Sequence, residues 1–231
     1  MRYSAGTVEG IFLNRPNRFA AQVRIGEKEE TVHVKNTGRC RELLIPGRKV
    51  WLVRSENPAR KTAYDLVAVY KDPPGLLINM DSQLPNAAVA EWLPVSGLFS
   101  AGAEIRREVT FGNSRFDLYI EDGARKVFME VKGVTLEKDG LALFPDAPTL
   151  RGVKHLQELV RCVGSGYEAM VVFLIQMKGV HTFRPHNAMH KAFGDALRFA
   201  AENGVKIIAL DCIVTPDSVI PDREIPVILL S

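Results

Sequence analysis

The chain has 231 residues, of which 46% are hydrophobic and 25% are charged, a composition typical of a globular protein with one large or two small domains. The longest apolar run, residues 169–175, is too short to cross a bilayer, and the first residues contain no signal peptide, so we expect a cytoplasmic protein with no membrane partner. Three widely spaced cysteines without a CxxC motif argue against a disulfide framework or a zinc knuckle.

Charge is divided unevenly along the sequence. Residues 1–71 contain 14 Lys and Arg against 7 Asp and Glu, a net charge of +7, whereas the remainder contains 16 against 20, a net charge of −4. The turn-rich stretch Asp72-Pro73-Pro74-Gly75 follows the basic segment. We therefore predict two domains, residues 1–74 and residues 75–231, the first suited to face phosphates and the second suited to hold a metal ion.

The first domain has the pattern of a small all-β unit. Turn residues such as Asn14-Arg15-Pro16-Asn17 separate stretches with strand character at residues 7–13, 20–25, 30–34, 49–53 and 63–70. Five short strands in about 70 residues predict an OB-like β-barrel, a fold whose face and loops bind nucleic acid.

Basic residues lie in or beside the turns of this predicted barrel. The candidates for contact with DNA are Arg15, Arg18, Lys35, Arg39 and Arg41. Small β domains also expose arginine for solubility alone, which is the alternative explanation. The net charge of +7 in this segment favours binding.

The second segment alternates between helix and strand. In chain order, a helix is predicted at residues 85–93, strands at 104–111, 115–120 and 127–136, a helix at 151–163, a strand at 169–176, a helix at 187–204 and a strand at 205–210. The first six of these elements follow the order α-β-β-β-α-β. The whole chain is therefore predicted to be an α+β protein of two domains.

An acid, a second acid and a lysine lie on two neighbouring strands of the second domain. Alternation places Glu130 and Lys132 on the same face of one strand, and a hairpin can bring Asp117 of the preceding strand beside them. Two carboxylates and an ammonium can hold a divalent metal and orient a water. The alternative is a solvated strand face with ordinary ion pairs, but the apolar residues around Glu130 predict a covered strand, where carboxylates are rare without a partner.

This pattern and the α-β-β-β-α-β order resemble the PD-(D/E)XK nuclease superfamily. The helix predicted at residues 151–163 then suggests a second group of contacts. Arg151 and Lys154 are expected to meet a substrate phosphate, with His155 and Glu158 orienting them. A solvated charged helix face is the alternative.

Several longer strings resemble the sugar fermentation stimulation protein (SfsA) family. They are Asn36-Thr37-Gly38-Arg39, Asn113-Ser114-Arg115-Phe116-Asp117, Glu130-Val131-Lys132-Gly133-Val134-Thr135-Leu136, Phe144-Pro145-Asp146-Ala147 and Arg151-Gly152-Val153-Lys154-His155-Leu156. The resemblance implies an N-terminal OB-like domain, a C-terminal PD-(D/E)XK nuclease-like domain, DNA binding and a role in regulating sugar-utilisation genes. It also implies that Asp117, Glu130 and Lys132 are the catalytic residues, with Glu91 as a further metal ligand. The family usually has Asn where this chain has Gly133.

Two hypotheses for function follow. The first is a DNA-binding protein with a phosphodiesterase site that uses Mg²⁺ or Mn²⁺, held by Asp117, Glu130 and Glu91. The second is a non-catalytic DNA-binding regulator of sugar-utilisation genes. A carbohydrate-binding regulator is disfavoured because no sugar pocket is recognisable, and no pattern in the sequence indicates an oligomeric state.

Overall fold

The computed structural model describes residues 1–36, 38, 40–57 and 59–229. The N-terminal part of the protein is a five-stranded barrel. The strands are β1 (Thr7–Asn17), β2 (Ala20–Ile25), β3 (Lys28–Val34), β4 (Lys49–Arg54) and β5 (Tyr64–Lys71). They follow the order β3-β2-β1-β4-β5, and a parallel pairing of β3 with β5 closes the barrel. The prediction of an OB-like barrel is confirmed.

The barrel is filled by side chains that alternate inward along its strands. Phe12, Val23, Leu52 and Leu66, from four different strands, each expose 1% or less of their surface. Burial of such side chains is the main favourable contribution to the folding of a small domain.

A sixth strand joins the barrel to the rest of the protein. β6 (Leu76–Asn79) pairs with β5, so the barrel sheet continues past residue 74, where the sequence predicted the domain boundary. The Asn79 amide donates to the Gln176 carbonyl at 2.9 Å, and Gln176 Nε2 donates to Asn79 Oδ1 at 3.0 Å. β6 is therefore part of the barrel sheet and is also bonded to the second domain.

The second domain is a mixed sheet covered by helices. Its helices are α1 (Leu84–Trp92), α2 (Leu150–Gly164) and α3 (Asn187–Glu202), and its strands are β7 (Glu104–Phe111), β8 (Ser114–Asp122), β9 (Arg125–Val134), β10 (Leu136–Lys138), β11 (Leu141–Phe144), β12 (Glu168–Ile175), β13 (Thr182–Pro185), β14 (Lys206–Thr215) and β15 (Ser218–Glu224). The main sheet has the order β15-β14-β12-β9-β8-β7, and β10, β11 and β13 form a small separate sheet. The predicted α-β-β-β-α-β core is present. No helix in the described ranges is long and apolar enough to span a membrane.

The two faces of the main sheet carry different helices. Met129 and Val131 of β9 belong to the core cluster that includes α1, whereas Phe128 belongs to the cluster that includes α2 and α3. Because side chains alternate along a strand, Glu130 shares its face with Phe128 and lies under α2.

The first residues of the chain add to the far edge of this sheet. The Tyr3 amide donates to the Asp217 carbonyl at 2.9 Å, and the Val219 amide donates to the Met1 carbonyl at 3.0 Å. The segment before the barrel is therefore bound to β15, near the other end of the sequence.

A buried ion pair also connects the two domains. Glu137 on β10 is 4% exposed, and its carboxylate contacts Lys71 Nζ from β5. Lys71 Nζ also donates to the Glu137 carbonyl at 2.9 Å, and the Gly140 amide donates to Glu137 Oε1 at 2.7 Å. Burial acts to raise the pKa of Glu137, but the hydrogen bonds from Lys71 and Gly140 outweigh it, so this pKa is lowered.

We expect Lys71→Met to lower the free energy of unfolding by about 3 kcal/mol at neutral pH, because it leaves a buried carboxylate uncompensated. Since the pKa of Glu137 is lowered by folding, the contribution of its charge is present above the ordinary glutamate pKa and is lost as pH falls through the lowered value. The difference between the two proteins should therefore shrink in acid. Chemical denaturation at several pH values measures both effects. Lys138→Met, at an exposed neighbouring lysine, is the control, and equal stability of Lys71→Met and wild type at neutral pH would contradict the prediction.

Candidate functional site

The ladder between β8 and β9 ends next to the two predicted catalytic acids. Regular pairs run from Asp122 opposite Arg125 to Leu118 opposite Met129. Beyond them, the Val131 amide donates to Asp117 Oδ2 at 2.8 Å. A side chain of β8 thus occupies the place of the next backbone partner, and the strands open there. We call this opening, between Asp117 and Val131, the fork.

The Val131 carbonyl is also turned toward the fork. In an extended strand, the N–H and C=O of one residue point to the same side, and the Val131 N–H points at Asp117. The fork therefore combines a backbone oxygen with carboxylate oxygens, the ligand type that hard divalent cations prefer.

Asp117 is held on both of its oxygens. While Oδ2 accepts the Val131 amide, Oδ1 accepts a hydrogen bond from Asn86 Nδ2 of α1 at 2.7 Å. Burial and the nearby charge of Glu130 raise the pKa of Asp117, and these effects outweigh its hydrogen bonds. Two carboxylates that repel each other in a covered site are suited to bind a cation.

Glu130 is 2% exposed and is bonded through one oxygen only. Its Oε1 lies 2.5 Å from His155 Nδ1 and contacts Lys132 Nζ. Burial acts to raise the pKa of Glu130, but the hydrogen bond from His155 and the charge of Lys132 outweigh it, so this pKa is lowered. Oε2 is buried and has no hydrogen-bond partner within the described part of the protein. A buried unpaired carboxylate oxygen is costly, which fits an atom that ligates a metal.

Within the described residues, no three His, Cys, Asp or Glu side chains form a ready metal cluster. An ion at the fork would instead be held by Asp117, Glu130, the Val131 carbonyl and water. Mg²⁺ usually keeps several waters and takes only one or two carboxylates, so this smaller set fits it.

His155 has a role that the sequence did not reveal. Its Nε2 lies 3.3 Å from Arg151 Nε, which can only donate, so Nε2 accepts and Nδ1 carries the proton given to Glu130. His155 therefore contacts Arg151, a cation of α2, and in addition holds Glu130, a contact that the sequence did not predict. Its four-residue spacing from Arg151 was visible in the sequence, but the contact with β9 was not.

Arg151 and Lys154 lie near His155 on α2, and their contact with a substrate phosphate stays a prediction. Both are exposed, and Lys154 Nζ donates to the Asn113 carbonyl at 2.8 Å. Together with Arg115, His155 and Leu150 they line a surface depression of about 400 Å³. Because His155 reaches Glu130 from this depression, a phosphate bound there would lie close to the carboxylates.

Glu91 is not part of the fork, which corrects the prediction that it ligates the metal. Its carboxylate forms an ion pair with the Met1 amino group at 2.7 Å and is 59% exposed. Asn86 contacts Asp117 from the same helix, and five residues along a helix turn a side chain by roughly 140°. The residue of α1 that reaches the site is therefore Asn86.

The predicted DNA contacts of the barrel fall into two groups. Arg15 donates to the carbonyls of Gly38 at 2.9 Å and Asn36 at 2.8 Å, and Lys35 donates to Asp81 at 3.0 Å. These two residues stabilise the fold, so a role as surface phosphate contacts is not supported. Arg18 and Arg41 are exposed, and contact with DNA stays a prediction for both. Arg39 lies outside the described residues.

The fold and the fork together define a two-domain class, an OB barrel followed by a mixed α/β domain with paired carboxylates at the end of a strand ladder. A family model described as "SfsA N-terminal OB domain" matches residues 13–80, and one described as "Sugar fermentation stimulation protein RE domain" matches residues 83–218. The chain belongs to the sugar fermentation stimulation protein family, SfsA.

Relatives of similar length support this assignment. The chain is 61% identical over 211 residues to a sugar fermentation stimulation protein homolog of Desulfitobacterium hafniense strain Y51, covering 91% of each chain. It is 51% identical over 219 residues to the homolog of Clostridium beijerinckii, covering 95% of this chain and 96% of the other. The solved structure of Pyrococcus furiosus SfsA in complex with Ca²⁺ matches with a TM-score of 0.85 and 32% identity, over 98% of this chain and 97% of the other.

We expect Asp117→Asn to stabilise the metal-free protein by about 1 kcal/mol, because it removes a charge that burial and Glu130 oppose. The raised pKa means that wild type loses stability as pH rises from the ordinary aspartate value to the folded value, so the advantage of Asp117→Asn should appear over that interval and persist above it. Added Ca²⁺ should raise the Tm of wild type more than that of Asp117→Asn. Thermal unfolding in EDTA and in Ca²⁺, with exposed Asp139→Asn as control, measures this. Lower stability of Asp117→Asn in EDTA would show that the repulsion is not the dominant effect.

Proposed function

We propose that this protein binds DNA and that the fork is a phosphodiesterase site dependent on Mg²⁺ or Mn²⁺. The observation that carries the proposal is the buried, unpaired Oε2 of Glu130 beside the half-buried carboxylate of Asp117. The complex of Pyrococcus furiosus SfsA with Ca²⁺ supports a hard divalent cation in this family. When bound, such an ion stabilises charge on a phosphate and lowers the pKa of a bound water.

The chain's own residues supply the remaining chemistry. Lys132 Nζ contacts Glu130, and the Lys132 side chain is 21% exposed. Lys132 can therefore donate a hydrogen bond to a phosphate oxygen and can hold or move a proton of the attacking water. His155 and Asn86 fix the two carboxylates in place. Groups that hydrogen-bond to metal ligands orient those ligands, and their substitution typically lowers metal affinity or activity.

Positive side chains near the fork and on the barrel support DNA as the substrate class. Arg115, Arg151 and Lys154 surround the depression next to Glu130, and Arg18 and Arg41 are exposed on the barrel. Such contacts neutralise phosphates and carry no sequence information, so the affinity that they contribute should be the same for all sequences.

A second candidate is a non-catalytic DNA-binding regulator of sugar-utilisation genes. It is favoured by the bonding of Glu130, whose Oε1 is already paired with Lys132 and His155. The family name, which refers to stimulation of sugar fermentation, supports the same candidate.

Substitutions at the fork separate the two candidates. In the enzyme, Asp117→Ala, Glu130→Ala and Lys132→Ala should each lower cleavage of labelled DNA by at least about 100-fold in Mg²⁺ or Mn²⁺. Glu91→Ala is the matched control, because this exposed acid of α1 lies outside the fork, and its activity should equal that of wild type. Wild-type protein that binds DNA but takes up no Mg²⁺ or Mn²⁺ and cuts neither single nor double strands would favour the regulator. In that case Asp117→Ala should bind DNA at least as tightly as wild type.

The role of α2 can be tested by the dependence of binding on salt. Arg151→Ala combined with Lys154→Ala should reduce the slope of log affinity against log salt by about 2, because two phosphate contacts are lost. Its Tm should change little, since exposed charged residues contribute little to stability. Lys126→Ala combined with Lys206→Ala removes the same charge from exposed positions elsewhere on the sheet and should leave the slope unchanged. Equal slopes for both double variants would contradict the proposal that Arg151 and Lys154 of α2 contact DNA phosphates.

A further inference from the structure

A cavity of about 320 Å³ lies between the two domains, beyond the fork. Asn36 and Ser82 line it from the barrel side, and Gly133, Phe144, Asp146 and Gln176 line it from the second domain. Its size is at the lower end of the range of small-molecule sites, which often lie at domain interfaces. The proposed cleavage reaction does not use any of these side chains.

The cavity lies near the fork along β9. Gly133, which lines the cavity, follows Glu130 by three residues on the same strand, a separation of roughly 10 Å. Pro85 of α1 packs against Gly133, and the next residue, Asn86, bonds to Asp117. A ligand whose phosphate is at the carboxylates can therefore place its neighbouring part in the cavity.

One wall of the cavity is apolar and firmly packed. The ring of Phe144 lies 5.6 Å from that of Phe173 and 5.1 Å from that of Phe193, between ring centres. Leu136, Leu143 and Pro145 extend this wall. A flat, weakly polar group can pack against such a surface.

Two side chains of the cavity, Asp146 and Gln176, present acceptor oxygens. A carboxylate oxygen of Asp146 would lie 2.6 Å from any Cβ at position 38, so Gly38 leaves room for it. Gln176 donates its amide nitrogen to Asn79 Oδ1 at 3.0 Å and to the Asp81 carbonyl at 3.1 Å, so its Oε1 is the end turned to Gly133. That oxygen would lie 2.5 Å from a Cβ at position 133, so Gly133 leaves room for it in the same way.

These acceptor oxygens determine which chemical group the cavity can bind. A carboxylate repels a phosphate, which excludes the anionic part of a nucleotide from the cavity. The same carboxylate accepts hydrogen bonds from N–H groups, as acidic side chains do from the amino group of cytosine. The best match is a flat group that packs on an apolar wall and carries N–H donors.

We propose that this cavity holds the nucleobase next to the cleaved phosphate, with preference for a base that carries an exocyclic amino group. This inference rests on the proposed function and specifies its substrate. A base enclosed between two protein domains cannot remain stacked and paired, so the substrate is a single strand or an unpaired nucleotide. Asp146 and Gln176 are the residues that select the base.

Binding of homopolymers in EDTA tests this inference without cleavage. By fluorescence anisotropy, wild type should bind ten-residue oligodeoxycytidine at least about tenfold more tightly than oligodeoxythymidine, because thymine has no amino group for Asp146. Asp146→Asn should bring the two affinities close together. Asp139→Asn, which removes the same charge at an exposed position, should preserve the difference.

A cavity-filling variant covers the case in which Asp146→Asn fails to fold. Ala147 lines the cavity, so Ala147→Trp should weaken binding of oligodeoxycytidine by about tenfold and leave oligodeoxythymidine nearly unaffected. Equal affinity of wild type for the two strands, or binding of neither, would overturn the inference. Discrimination without any cleavage in Mg²⁺ would retain the base site and reject the nuclease. If duplex DNA were cleaved as fast as single-stranded DNA, and if the cleavage rates were the same in Asp146→Asn, the nuclease would be retained and the base site rejected.

Discussion

The Val131 amide donates to the carboxylate of Asp117 at 2.8 Å, and this bond replaces the next rung of the β8–β9 ladder. A backbone partner at that point would continue the sheet and cover both acids. With the carboxylate in its place, the strands open, the Val131 carbonyl is left facing the fork, and Glu130 on the α2 face lies within range of the Asp117 charge. α2 packs on this face through apolar residues such as Leu156 and Leu159, and it places His155 against Glu130.

The position of the barrel depends on contacts that lie far apart in sequence. β6 is paired with β5 on one side and bonded to Gln176 on the other, so the barrel sheet is joined to the residue that follows β12. Gln176 uses its backbone and its side chain for these bonds. The two sides of the cleft between the domains are therefore connected by hydrogen bonds at Gln176, which also lines the cavity.

Local patterns were enough to predict much of this structure. Alternation along β9 gave the common face of Glu130 and Lys132, and short strands separated by turns gave the barrel. Strands of three or four residues, such as β10 and β11, carry too little periodicity to be recognised. The errors at Glu91 and Lys35 have another cause, because each residue forms an ion pair with a group brought near only by the fold. Charge counting cannot distinguish such a paired residue from one that faces solvent.

The bond between the first residues and β15 has a consequence for folding during synthesis. The Met1 amino group and its acceptor, the Val219 carbonyl, are 218 residues apart in sequence. The strand pairings of the barrel all lie within residues 7–79, so they can form before the second domain has been synthesised. The edge of the main sheet, in contrast, cannot form until β15 has left the ribosome. A nascent chain would thus carry a finished barrel while its second domain still exposes apolar strands, the stage at which such a chain is most prone to aggregate.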